Sequence, residues 1–113
     1  MKFATWEVGD KSYKLKLTTS ATVELESKLG CNPLVVFGIS EPVIPTFKQM
    51  GLILQAAIGY EKPISLSNVF SLIDEYFEAG HDLSDLTNLI KDVYVASGLI
   101  SEVEEEGTEE EKN

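Results

Sequence analysis

The stretch Pro45-Thr46-Phe47-Lys48-Gln49-Met50-Gly51-Leu52-Ile53-Leu54-Gln55-Ala56-Ala57-Ile58-Gly59 decides the fold, because it carries a single charge and is bounded by a proline and a glycine. Proline suits the first turn of a helix, and glycine suits the position just past its end. A helix over 46–58 with apolar residues on nearly every side must be covered on several sides, by its own domain or by another chain. It is the expected central helix.

Two amphipathic helices follow it. The first, over 65–79, starts at Ser65 or Ser67 and places Leu66, Val69, Phe70, Ile73, Tyr76 and Phe77 on one stripe, with Asp74, Glu75 and Glu78 elsewhere and Gly80 beyond the end. The second, over 83–97, starts at Asp82 or Ser84 and aligns Leu86, Leu89, Ile90 and Val93, with Tyr94 at the stripe's edge and Gly98 at the stop. Before the central helix, the hydroxyls of Thr18, Thr19 and Ser20 precede Ala21, Leu25 and Leu29 at i, i+4 and i+8, predicting a helix over 20–29 ended by Gly30. The segment Leu34-Val35-Val36-Phe37 lies among Pro33, Gly38, Pro42 and Pro45 and allows at most one short turn of helix. At the start, Phe3, Tyr13, Leu15 and Leu17 alternate with polar or small neighbours around Gly9-Asp10-Lys11. Strands over 2–8 and 12–18 should pair as an antiparallel hairpin, with Tyr13, Leu15 and Leu17 inward and Lys14 and Lys16 in water. The expected fold is a helix-dominated α+β domain: an N-terminal antiparallel β-hairpin followed by three to four packed helices.

The length of 113 residues and 43% hydrophobic content suffice for one domain with a real core. Of the formal net charge of −10, seven glutamates and one lysine in 101–113 supply −6. Such a segment repels itself and has little to bury, so a disordered acidic tail over 101–113 is expected behind a globular body over 1–100. The acidity, without a basic stripe, argues against nucleic-acid and anionic-membrane partners. One cysteine makes no internal disulfide, no apolar run is long enough to span a bilayer, and Met1-Lys2-Phe3-Ala4-Thr5-Trp6-Glu7 lacks the apolar stretch of a signal peptide. The expected location is cytoplasmic. All nine basic residues are lysine, a bias expected of an A-rich, low-GC genome.

Candidate chemistry is sparse. His81, the one imidazole, lies between Gly80 and Asp82 in a tight helix connection. It reads as a loop residue near a helix end rather than a catalytic base. Cys31 follows the helix-ending Gly30 and reads as a packing residue rather than a nucleophile. Asp74 and Glu78, with Glu75 beside them, share a helix face that could in principle hold a hard cation, but no ligand loop accompanies them. No catalytic, metal or cofactor-binding residue is therefore assigned. What stands out is apolar surplus: Leu34 to Phe37, Ile39, Val43, Ile44 and the central helix either complete the core or form a surface for self-association or a partner. The partner-surface reading places it on Leu34, Val35, Val36 and Phe37 with Leu52 and Ile53.

Several stretches together resemble a known family. Tyr13-Lys14-Leu15-Lys16-Leu17-Thr18-Thr19 running into Glu24-Leu25-Glu26-Ser27-Lys28-Leu29-Gly30-Cys31-Asn32-Pro33-Leu34 is similar to the opening of the tail assembly chaperones of long-tailed phages and prophages of low-GC Gram-positive bacteria. The stretches Asp74-Glu75-Tyr76-Phe77-Glu78-Ala79-Gly80 and Val93-Tyr94-Val95-Ala96-Ser97-Gly98-Leu99 fit the same pattern. The resemblance covers most of 12–100 and rests on helix-cap and core-face residues. It implies a non-catalytic, self-associating protein of the infected cell's cytoplasm, absent from the finished virion. Such a protein binds the coiled-coil-rich tape-measure protein, keeps it soluble and helps bring tail-tube subunits to it. It also implies a second, longer product made by ribosomal frameshifting, for which the codons of Glu110-Glu111-Lys112-Asn113 could provide an A run. The competing expectation is a structural tube or connector subunit of the tail, with the hairpin adding strands to a neighbour.

Overall fold

The computed structural model describes residues 2–101. Chain order is β1 (Ala4–Val8), β2 (Lys11–Leu15), α1 (Thr19–Leu29), a 3₁₀ turn (Pro33–Phe37), α2 (Phe47–Ile58), α3 (Leu66–Glu78) and α4 (Leu83–Ala96). This is the expected helix-dominated α+β arrangement of an antiparallel hairpin followed by four helices. The expected acidic tail lies, beyond Ser101, outside the described residues.

The hairpin closes through the two residues Gly9 and Asp10, since Val8 is opposite Lys11. Gly9 takes φ +63° while Asp10 does not leave the negative-φ region, the pattern of a turn that needs glycine at its first central position. The register pairs Ala4 with Leu15 and Trp6 with Tyr13, so Ala4, Trp6, Val8 and Leu15 share the buried face. Leu17, just beyond β2, is also buried, and Tyr13 is half-buried. Phe3 belongs to the opposite face. It is 38% exposed and lies under the ammonium of Lys14, whose Nζ is 5.0 Å from the ring centroid. A hairpin alone is marginal, and this one is held by its inner face. Trp6 meets Tyr76 of α3 edge-on at 5.8 Å and Tyr13 at 6.2 Å.

Each helix starts where a short polar side chain satisfies an otherwise orphaned amide. Thr18 caps α1, Ser65 caps α3, and Thr46 and Asp82 form reciprocal capping boxes with Gln49 and Asp85. Gly30, in the left-handed region at φ +77°, ends α1. The α2 helix fills the middle of the molecule: it packs against α1, α3, α4 and β2, and Met50, Leu52, Ile53, Leu54, Ala57 and Ile58 are buried. The remaining core comes from Leu25 of α1, from Val69, Leu72, Ile73 and Tyr76 of α3, and from Leu86, Leu89, Ile90, Val93 and Tyr94 of α4. Burial of a side chain of this kind contributes about 1.5–3 kcal/mol. Among the described residues, no helix is long and apolar enough to cross a membrane.

Candidate functional site

The most unusual feature of the surface is apolar. Between the 3₁₀ turn and α2 the chain crosses the outside of the molecule over 38–46, and Ile39, Val43 and Ile44 stand 86%, 55% and 63% exposed. Two local features produce this crossing. Gly38 takes φ +98°, and a Cβ there would overlap the Glu41 carbonyl oxygen, so only glycine lets the loop fold back on itself. Val43 N–H then donates to the Phe37 carbonyl at 2.9 Å, closing the loop, and Pro42 and Pro45 keep its backbone out of regular structure.

The loop is anchored from below. The Tyr94 hydroxyl donates to the buried Pro33 carbonyl at 2.8 Å, and the Phe37 ring meets Tyr94 edge-on at 5.9 Å. Burial pushes the Tyr94 phenol well above its ordinary pKa. Lys91 Nζ lies over the Phe37 ring, 5.2 Å from its centroid. Phe37, Pro42, Val43, Ile44, Pro45, Thr87 and Lys91 line a shallow cleft of about 190 Å³.

An exposed apolar side chain recurs at the start of α2, beyond the buried Pro45 and the exposed Thr46. Phe47 is half-exposed and meets Phe77 of α3 edge-on at 6.1 Å. Phe47, Phe70, Ile73, Asp74 and Phe77 line a second open cleft of about 330 Å³. Gly51 lets Phe70 approach α2 closely here, since a Cβ on Gly51 would run into the Phe70 ring. Asp74 is the one charged group of that cleft. The first cleft takes in Ile44 and Pro45 and the second takes in Phe47, with the exposed Thr46 between them along the chain. Exposed patches of this kind characteristically mark surfaces used for binding.

The sequence-predicted partner residues divide. Leu34 is exposed, and Val35 and Phe37 are half-buried. Val36, Leu52 and Ile53 are buried in the core, at 4%, 9% and 0% exposure; Ile53 presents no surface, and Leu52 reaches only the floor of a cleft between α1 and α2. The reason is that the 3₁₀ turn and α2 are covered from several sides at once, which leaves α2 exposed chiefly at its first turn. The expected surplus at Ile39, Val43 and Ile44 is where the structure exposes it. Phe47 lies on the central helix expected to carry part of the surface, whereas the sequence does not predict Phe70 and Phe77 there. Helical spacing placed Phe70 and Phe77 on the buried stripe of α3, but the stripe is rotated: Leu72, which it omitted, is buried, while Phe70 lies at the edge. The signal was the width of that stripe, too wide for a helix of this size to hide completely.

The polar candidates are engaged locally. His81 stacks on Tyr76 with the rings 4.0 Å apart and 7° from parallel, and its Nδ1 lies 3.2 Å from Asp85 Oδ2. The Asp85 carboxyl is held below its usual range, chiefly because the Asp82 N–H donates to it, with His81 adding to the effect. Glu75 of α3 pairs with Lys11 at the start of β2 at 3.3 Å. Cys31 is half-buried against the core. Among the described residues no three His, Cys, Asp or Glu side chains are grouped so as to hold a metal ion. No protein-family model matches this chain, and no curated protein or solved structure was found similar to it.

Proposed function

We propose that this chain is a tail assembly chaperone of a long-tailed phage or prophage, acting in the cytoplasm of the infected cell. It binds the tape-measure protein, keeps it soluble until tube subunits arrive, and performs no catalysis. The observation that carries the reading is the set of exposed apolar side chains Ile39, Val43, Ile44, Phe47 and Phe70 on a chain of net charge −10. Apolar side chains of this kind can cover the apolar seam of a coiled-coil client, whose a and d positions are sticky until its partners assemble. The net negative charge keeps the resulting complex in solution by self-repulsion. The resemblance of Tyr13–Thr19, Glu24–Leu34, Asp74–Gly80 and Val93–Leu99 to that family supplies the client's identity.

Co-expression with the tape-measure protein encoded by the same genome tests the proposal. The expected result is a soluble client that co-purifies with more than one copy of this chain. A client that remains insoluble in its presence, together with abundant peptides of this chain in purified virions, would instead identify a structural tail subunit.

A further inference from the structure

The two edges of the hairpin are not equivalent. On the outer edge of β2, Lys14 N–H donates to Glu61 Oε1 and Lys16 N–H donates to the Ala57 carbonyl, each at 3.2 Å. The end of α2 and the loop after it therefore cover that edge. In an antiparallel ladder, residues directly opposite each other turn their backbone groups either toward one another or both away. Lys14 is opposite Thr5 and Ser12 is opposite Glu7, so Thr5 and Glu7 turn their N–H and C=O groups outward along β1. Neither main chain finds another hydrogen-bond partner among the described residues, and Phe3, Thr5 and Glu7 are all exposed. Of the usual protections this edge has only its short length and the charge of Glu7, since β1 contains no proline, no lysine and no bulge.

We propose that a second copy of this chain pairs with it, β1 against β1 and antiparallel, about a two-fold axis at Thr5, to make one four-stranded sheet. Phe3, Thr5 and Glu7 then face Glu7, Thr5 and Phe3 of the other copy, and about six main-chain hydrogen bonds form. The side chains select this pairing. Lys14 Nζ already lies over the Phe3 ring of its own chain, so the carboxylate of Glu7 from one copy arrives beside Lys14 of the other at both ends of the interface. Thr5 meets Thr5 at the centre, a favourable cross-strand pair. A parallel pairing would set Glu7 beside Glu7, and an antiparallel slip of two residues would lose hydrogen bonds. The association is closed, because each copy has one open edge and the two-fold consumes both. This inference stands apart from the client reading, which concerns the Ile44–Phe47 segment.

The test is the mass of the full chain by equilibrium sedimentation from micromolar to near-millimolar concentration. The expected result is a monomer–dimer equilibrium whose dissociation constant rises about tenfold or more in Thr5→Pro and in Glu7→Lys. Neither change removes a hydrogen bond within the monomer, because both main-chain groups point outward, and circular dichroism of each variant should match the parent chain. In a Cys31→Ser background, Thr5→Cys should cross-link two copies on mild oxidation, since directly opposed residues of such a pair lie about 5.5 Å apart, within disulfide reach. Ser12→Cys, on the covered edge, should not. A chain that stays monomeric throughout the range overturns the proposal. So does a dimer that survives Glu7→Lys and gives no Thr5→Cys cross-link, a result that remains readable even if Thr5→Pro fails to fold.

Discussion

The α2 helix and the loop just before it are both strongly apolar, yet the helix is largely buried while the loop exposes its large apolar side chains. Ile53 and Leu54 have no exposed surface, while Ile39 is 86% exposed and Ile44 63%. Hydrophobicity does not separate them. Backbone regularity does: α2 satisfies its own amides and can enter the middle of the molecule among α1, α3, α4 and β2. The 38–46 segment, interrupted by Gly38, Pro42 and Pro45, cannot satisfy its backbone internally and so must remain at the surface with its apolar side chains. An apolar loop that cannot be core is the kind of surface that is kept for a partner.

The contrast can be broken most severely from the α2 side. Ile53→Ala should cost about 3 kcal/mol by creating a cavity among close-packed neighbours, read as a lowered urea midpoint with unchanged slope. Next comes the loop's own hinge. Gly38→Ala forces a side chain into the left-handed region and against the Glu41 carbonyl, and should cost about 2 kcal/mol by the same measurement. Restoration of the parent midpoint by any L-residue at 38 would show that the loop is not built as described.

A smaller effect tests the anchor below the loop. Tyr94→Phe leaves the buried Pro33 carbonyl without its donor and should cost about 1–2 kcal/mol at neutral pH. It should also change the alkaline limb of stability. Burial raises the folded-state pKa of Tyr94 and, less strongly, of Tyr76 above the unfolded value near 10. The unfolded chain therefore loses protons first as pH rises, and stability falls above about pH 10. That fall should be shallower in Tyr94→Phe, and an unchanged alkaline limb would remove Tyr94 from the account. Smallest of all on stability should be Val43→Ser and Ile44→Ser, within about 0.5 kcal/mol of the parent, because these side chains already face water.

Much of the fold could be read from patterns that belong to single segments. Thr18, Ser65 and Asp82 as caps, Gly30 as a stop and Gly9-Asp10 as a turn each follow from local chemistry, and the elements fall within a few residues of where those signals put them. Facing was harder to read. Phe3 alternates in step with Tyr13 and Leu15 in the sequence, but the two-residue turn sets a register in which even positions of β1 share a face with odd positions of β2. Phe70 has the spacing of a core residue, and only the placement of α2 beside it shows that it closes an open cleft. For the candidate site, Ile39, Val43 and Ile44 were legible as surplus because prolines surround them. Val36, Leu52 and Ile53 were not distinguishable from them, since which apolar residues become core depends on what packs above them.

The most direct measurement of the central claim is client capture by the double variant Val43→Ser/Ile44→Ser, co-expressed with the tape-measure protein beside the parent chain and beside Ile53→Val. The account predicts that the double variant keeps the parent's thermal midpoint and loses most of the soluble client, whereas Ile53→Val, a mild core change, retains it. Full client solubility with the double variant at undiminished stoichiometry would contradict it, and would separate the apolar loop from the function proposed for it.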